Sequence, residues 1–195
     1  MSEVTLALFG LGLGFSLTIP PGPMNALIAS NATKSFRAGF VTGLGAMSSD
    51  AILGTVVYLL QAVVNLHAVA RFVYLLGAAV LAFMGIRLLR RAGNPNPPAG
   101  VPTASTYATA LMVGISNPFQ ILWWLTAGLA FAYFGGAILL FALFAAIAVW
   151  VVAFPSAVRL GTRGSPRAQG AVRYGSGALV LAFAAYCAFL ALIVA

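Results

Sequence analysis

Six long apolar runs constrain this chain more than any other feature of its sequence. Since roughly 20 apolar residues of helix cross the hydrocarbon core of a bilayer, each run is long enough for one transmembrane helix. The composition agrees, with 62% hydrophobic and 6% charged residues in 195. The sequence therefore predicts an all-α, multi-pass membrane protein embedded in the lipid bilayer. Its six predicted spans run over about Val4 to Ser30, Ala38 to Val64, Val69 to Leu89, Tyr107 to Tyr133, Ala137 to Val158 and Gly175 to Val194.

The first run contains the segment Pro20-Pro21-Gly22-Pro23 in its second half. A proline lacks the backbone N–H and clashes with the carbonyl four residues earlier, so a helix cannot continue through this segment. A break inside a membrane is tolerated where it is buried in protein or lines a cavity. The first transmembrane helix is therefore predicted to be broken here.

A polar, proline-rich linker over residues 93–106 divides the chain into a first half, residues 1–92, and a second half, residues 107–195. Nine of the ten lysines and arginines fall on one side of the predicted membrane, and Arg71 alone falls on the other. The positive-inside rule then predicts that the linker lies in the cytoplasm and that both termini lie outside the cytoplasm. The protein is thus expected in the cytoplasmic membrane.

Each half has an odd number of spans, so the two halves enter the membrane in opposite directions and form two inverted three-helix repeats. If span one is broken, its counterpart, span four, should be broken too. Span four contains Asn117-Pro118 within an apolar run. Interrupted segments at corresponding places in two halves indicate a substrate site near the membrane midplane of a transporter. The alternative is that both sets of prolines only kink helices for packing.

New half-helices are predicted to begin near Pro23 and near Asn117-Pro118, with Asn117 as the N-cap. Helix N-termini attract carboxylates, and the prolines leave carbonyl groups without helical partners. A zwitterion would suit both features. The carbonyls expected to be free are those of Ser16, Leu17, Ile19 and Gly114. The candidate substrate-binding residues are Pro21, Gly22, Pro23, Asn25, Asn117, Pro118, Gln120 and Trp123.

Phe119 and Trp123, like Gln120 and Trp124, are four residues apart and share a helix face. One such face could stack against a substrate, although packing is the commoner role of aromatic residues in spans. The glycine pairs Gly10 with Gly14 and Gly39 with Gly43 indicate close helix packing, possible also at the interface of a homodimer.

Asp50 is the one acidic residue deep in a predicted span. A charge at the bilayer centre costs several kcal/mol, about 2.5–3.5 on insertion scales, so an intramembrane acid is a functional candidate. It could carry a coupling proton or bind an amine; the alternative is a structural hydrogen bond to a neighbouring span.

The sequence offers no feature typical of other partners or cofactors. The net charge of +8 is spread over short loops, without the clustered basic face of nucleic-acid binding. With Cys187 as the single cysteine there is no disulfide and no cysteine cluster for a metal. We expect neither a cofactor nor a metal site.

Three features together resemble the lysine exporter (LysE/RhtB) family: Pro21-Gly22-Pro23, the glycine-rich run that ends at Asp50, and Asn117-Pro118. The resemblance covers essentially the whole chain. It implies an exporter of amino acids or related small solutes, driven by exchange for protons and dimeric in some members. An exporter of inorganic ions is the nearest alternative. A membrane-embedded enzyme is the alternative from another class. It is disfavoured because one buried acid, without a second acid or an intramembrane histidine beside it, does not make a catalytic site.

Overall fold

The computed structural model describes residues 2–60, 66–92, 103–125 and 136–193. Over these ranges the chain forms α-helices joined by short turns, and no strand is present in them. The helices are α1 Glu3–Thr18, α2 Pro23–Ala32, α3 Phe36–Leu60, α4 Leu66–Ala92, α5 Thr103–Ile115, α6 over residues 118–125, α7 Ala137–Thr162 and α8 Pro166–Ile193.

Within the described ranges, three helices are long and apolar enough to cross a membrane, namely α3 over Phe36–Val57, α7 and α8. The pair α1 and α2 forms a fourth candidate span, bent by 75° at its break. Large apolar side chains such as Phe141, 83% exposed, point away from the protein, as expected of a surface that contacts lipid. The protein is therefore an all-α, multi-pass membrane protein.

The predicted count of six spans stays a prediction. The third predicted span lies within α4, while the ends of the second and fourth, residues 61–64 and 126–133, fall outside the described residues. The break in the first span is confirmed between Thr18 and Pro23. The fourth is interrupted at residues 116 and 117, between α5 and α6.

Two helices begin before the limits of the predicted spans. The last helix begins at Pro166, well before Gly175, because a helix can continue through polar residues beyond the apolar run that marks its membrane part. Ser165 caps it, since its hydroxyl accepts a hydrogen bond from the Ala168 N–H at 3.2 Å. Of the predicted linker, residues 103–106 belong to α5, whereas residues 93–102 lie outside the described residues. The division into halves at 1–92 and 107–195 stays a prediction.

The helices pack mainly across the two halves of the chain. α1 packs against α7, α3 against α5, and α4 against α8. Gly10 and Gly14 allow the first of these contacts, because a β-carbon on either glycine would overlap the backbone carbonyl oxygen of Leu139 or Leu143 in α7. Gly39 and Gly43 likewise face Pro155 and Val151 in α7. The packing role predicted for both glycine pairs is confirmed within one chain, and the homodimer stays a prediction.

The apolar core consists of two clusters. The first joins α2, α4, α5 and α8 through residues such as Leu27, Leu81 and Val180, which are nearly inaccessible. The second joins α3, α6 and α7 through Trp124, Leu143 and similar side chains. The two helix breaks lie between these clusters, and a cavity opens there.

Candidate functional site

The first helix break is held together by the side chain of Asn25. Helix α1 ends at Thr18, and α2 begins at Pro23 after Gly22, which has an extended backbone with φ of −160°. The Asn25 amide nitrogen donates to the carbonyl oxygens of Thr18 and, at 2.9 Å, of Pro20. Asn25 therefore supplies donors that the prolines of the break cannot supply.

Asn25 also connects this break to the second half of the chain. Its side-chain oxygen accepts a hydrogen bond of 3.1 Å from the indole nitrogen of Trp150 in α7. With both amide hydrogens on backbone carbonyls and the oxygen on an indole, the Asn25 side chain is largely committed to protein contacts. Asn25 lines the central cavity described below, and its side-chain hydrogen bonds hold the first break in place.

The second break begins a helix as predicted. Asn117 caps α6, since its side-chain oxygen accepts a hydrogen bond of 3.2 Å from the Phe119 N–H. Pro118 occupies the first helical position, where its missing N–H costs nothing. The carbonyl of Gly114, expected to be free, instead accepts from the Asn117 N–H at 3.1 Å. That expectation was wrong because the chain closes a tight turn at the end of α5.

Asp50 lies on α3, 4% exposed, beside this second break. Its Oδ1 atom accepts two hydrogen bonds, from Gln120 Nε2 at 2.6 Å and from Trp124 Nε1 at 2.9 Å. Gln120 Nε2 donates also to Ser49 Oγ, at 3.0 Å, and that hydroxyl donates to the Ala46 carbonyl at 2.6 Å. Because Asp50 Oδ1 can accept but not donate when ionised, the nitrogen of the Gln120 amide must face it.

Two oxygens of this network have no partner among the described residues. Asp50 Oδ2 accepts no hydrogen bond from them, although Asp50 lines the cavity. Gln120 Oε1 is buried without a hydrogen-bond partner, and its residue is only 6% exposed. The buried Gln120 oxygen costs about 1–3 kcal/mol as an acceptor without a donor. Asp50 Oδ2 is the place where a bound group would gain a hydrogen bond.

A central cavity of about 380 Å³ collects most of the predicted residues. The two breaks meet there with Asp50, and Phe119, Trp150 and Phe183 add aromatic walls. Pro118 does not line the cavity: it is fully buried and packs against Gly77 of α4. The predicted residues on the cavity wall are Pro21, Gly22, Pro23, Asn25, Asp50, Asn117, Gln120 and Trp123.

Sequence reasoning missed two residues. Trp124 appeared as the neighbour of Gln120 on one helix face, but nothing in the spacing indicates that both donate to Asp50. Trp150 carried no signal of its own. A comparison of the two halves would have found it, because Trp150 lies about as far along α7 as Asp50 lies along α3.

The cavity carries little charge. Among the described residues that line it, Asp50 is the one charged side chain, and the first turns of α2 and α6 contribute N-terminal backbone groups. Those N–H groups have no acceptor within their own helices and carry partial positive charge. The described residues contain no group of three His, Cys, Asp or Glu side chains placed to hold a metal ion.

An apolar helical protein with a cavity between two helix breaks has the arrangement typical of membrane transporters. Within that class, the chain belongs to the LysE type translocator family, whose model matches residues 15–190. This confirms the family resemblance.

One relative is a protein of Bacillus subtilis (strain 168) named "Putative amino acid efflux protein YcgF", 34% identical over 119 residues. The alignment covers 58% of this chain and 57% of that protein, so it spans less than two thirds of the relative's length. No solved structure matches the chain.

Proposed function

We propose that the protein is a secondary-active exporter of amino acids or related small solutes, coupled to proton exchange, with the central cavity as its midplane substrate site. The observation that carries this proposal is the position of Asp50: one carboxylate oxygen is fixed by Gln120 and Trp124, and the other has no described partner on a cavity lined by both helix breaks. The family and the name of the Bacillus subtilis relative support export and amino acids.

The cavity suits the three parts of an amino acid. The substrate amine would bind Asp50 Oδ2 as a charge-assisted hydrogen bond, which is stronger than a neutral one. The carboxylate would bind the N-terminal N–H groups of α2, which begins at Pro23 on the cavity wall. The side chain would contact apolar walls that include Phe119 and Phe183.

Exchange for protons follows if Asp50 binds either a proton or the amine, but not both. A protonated carboxyl has lost the charge that holds the amine, so proton binding releases the solute and solute binding requires loss of the proton. Because Asp50 is the one charged side chain among the described cavity residues, no second group there replaces it.

The packing of the helices supports an inverted repeat, although the full set of six spans is part of the proposal. Exchanging the two halves turns the contact of α1 with α7 into that of α5 with α3, and both contacts are present. The contact of α4 with α8 maps onto itself. Such a repeat supplies the two related arrangements that alternating access requires.

Membership of a translocator family supports a transporter rather than an enzyme. For an inorganic ion we find no favouring observation, since the described donors at Asp50 are two side-chain nitrogens rather than further ligands for a cation.

The test uses the purified full chain in liposomes, with a panel of labelled amino acids and cations outside and an acid interior. Antiport predicts that amino acids accumulate inside as protons leave, and that Asp50→Asn abolishes this accumulation. Cys187→Ala serves as the control, because Cys187 is buried and is not among the residues that line the cavity. Accumulation by Asp50→Asn with unchanged dependence on pH would show that another group couples transport.

We propose that the protein lies in the cytoplasmic membrane with both termini outside the cytoplasm. In a Cys187→Ala background, Ser2→Cys should react with a membrane-impermeant maleimide in intact cells. Ser165→Cys, in the turn between α7 and α8, should react only after the cells are opened. The reverse pattern would invert the proposed topology without affecting the site.

A further inference from the structure

A second cavity lies beside the central one, and the two share a wall. The lateral pocket has a volume of about 240 Å³ and lies between α2, α7 and α8. Pro21, Asn25 and Trp150 line both this pocket and the central cavity. Of these three, Trp150 has the largest side chain.

The indole of Trp150 is fixed from two sides. Its nitrogen donates to Asn25 Oδ1 at 3.1 Å, and its ring stacks on Phe154 with centroids 5.0 Å apart and planes inclined by 8°. Asn25 is itself fixed by the carbonyls of Thr18 and Pro20. The wall between the cavities is therefore an ordered ring rather than a loose side chain.

The space behind this wall is apolar. Ile19, Ala26, Phe154 and Leu179 line it, and the hydroxyl of Ser176 is its main polar side-chain group apart from Asn25. Such a space would accept a hydrocarbon or aromatic group and would exclude a charged one, because a charge there would lack partners.

We propose that Trp150 determines which solutes the site accepts, by closing the central cavity off from the lateral pocket and so limiting the size of an apolar substrate side chain. This inference rests on the proposed function, because it takes the central cavity as the substrate site. Removing the indole joins two cavities of about 380 and 240 Å³ along an apolar path.

The test measures the exchange rates of alanine, valine, leucine, phenylalanine and tryptophan by the full chain in liposomes. In Trp150→Ala we expect the rate of phenylalanine relative to alanine to rise about tenfold or more, the range that pocket size controls in other selective sites. Trp150→Phe keeps a ring at the wall and should retain the wild-type ratio. Trp150→Leu should give an intermediate ratio.

Leu179 provides the matched controls, since it lines the lateral pocket and not the central cavity. Leu179→Ala enlarges the space behind an intact wall and should leave the ratio unchanged. Leu179→Phe in the Trp150→Ala chain refills that space and should restore the wild-type ratio.

Three results would each overturn the inference while the proposed function survives. The first is a wild-type ratio in folded Trp150→Ala and Trp150→Leu, and the second is a ratio in Leu179→Ala raised as far as in Trp150→Ala. The third is a loss of phenylalanine exchange in the Leu179→Phe chain that keeps Trp150. The last result decides the matter if both truncations fail to fold. A wild-type chain that exchanges none of these five amino acids but exchanges another solute of the wider panel would also overturn this inference alone. A wild-type chain that exchanges no solute of that panel would instead overturn the proposed function, and this inference with it.

Discussion

Asn25 and Gln120 occupy matching positions in the two broken segments and use their side-chain amides in opposite ways. Each lies two residues after the proline that begins the second helix of its segment, Pro23 or Pro118. The oxygen of Asn25 accepts a hydrogen bond from Trp150 in α7, whereas the nitrogen of Gln120 donates one to Asp50 in α3. Each amide thus connects one half of the chain to the middle of a helix in the other half.

Replacing Gln120 should impair transport more than folding. Gln120→Leu removes one of the two donors to Asp50 Oδ1, and a hydrogen bond to a charged group contributes about 1.5–3 kcal/mol. We expect amino-acid exchange in liposomes to fall roughly tenfold or more. Trp124→Phe removes the other donor, and because both act on one oxygen the two effects should not add.

The control for this prediction is Gln169→Leu. Gln169 also donates from its side-chain amide, but to the backbone carbonyl of Thr162 at 3.2 Å, at the turn between α7 and α8. Its replacement should leave exchange near the wild-type rate. Wild-type exchange in Gln120→Leu would mean that Asp50 does not need this donor.

Replacing Asn25 should destabilise the first break. Asn25→Leu leaves the carbonyls of Thr18 and Pro20 without their donor, and each hydrogen bond lost contributes about 0.5–1.5 kcal/mol. We expect a lower melting temperature in detergent. Trp150→Phe loses only the bond to Asn25 Oδ1, so its melting temperature should fall less. Equal melting temperatures for Asn25→Leu and the wild type would show that Asn25 does not stabilise the break.

The contact of α1 with α7 predicts different effects for two glycines one helical half-turn apart. A β-carbon on Gly14 would lie 2.5 Å from the Leu143 carbonyl oxygen and 2.7 Å from the Ala146 β-carbon, whereas one on Gly12 would have nothing within 4 Å. Gly14→Ala should cost about 1–3 kcal/mol through overpacking. Gly12→Ala should be neutral or slightly stabilising, since alanine favours helix. Thermal denaturation of both variants measures this difference in stability, and equal melting temperatures would contradict the close packing of α1 against α7.

Two arginines form hydrogen bonds at the C-terminal end of α2. Arg159 donates to the Thr33 carbonyl at 2.7 Å and Arg173 to the Thr33 hydroxyl at 3.1 Å, where the helix dipole favours positive charge. Arg159→Gln should lower stability by about 1–2 kcal/mol. Arg163→Gln, at an exposed position in the next turn of chain, should have little effect. Denaturation midpoints of the two variants in detergent would show this, and a larger loss for Arg163→Gln would contradict it.

Much of this architecture could be predicted from local features of the sequence. The break at Pro20 to Pro23 and the cap at Asn117 follow from the geometry of proline and from the hydrogen-bonding capacity of asparagine, which act within a few residues. The meeting of the two breaks with Asp50 also follows, once the odd number of spans is taken to invert the second half. The hydrogen bond that the Gly114 carbonyl accepts could not be predicted from the sequence, because it depends on how tightly the chain turns after α5.

By itself the sequence determined that the chain is a helical membrane protein, where two of its helices are interrupted, and that an acid lies deep in one of its spans, because apolar length and missing N–H groups are properties of short segments. Only the tertiary structure decided what each polar side chain does. Gln120 and Trp124 reach Asp50 across 70 and 74 residues of sequence, and Trp150 reaches Asn25 across 125. Such contacts depend on the rotation and spacing of packed helices, which no local pattern encodes. They fix the Asn25 side chain at the first break and place Trp150 beside both cavities.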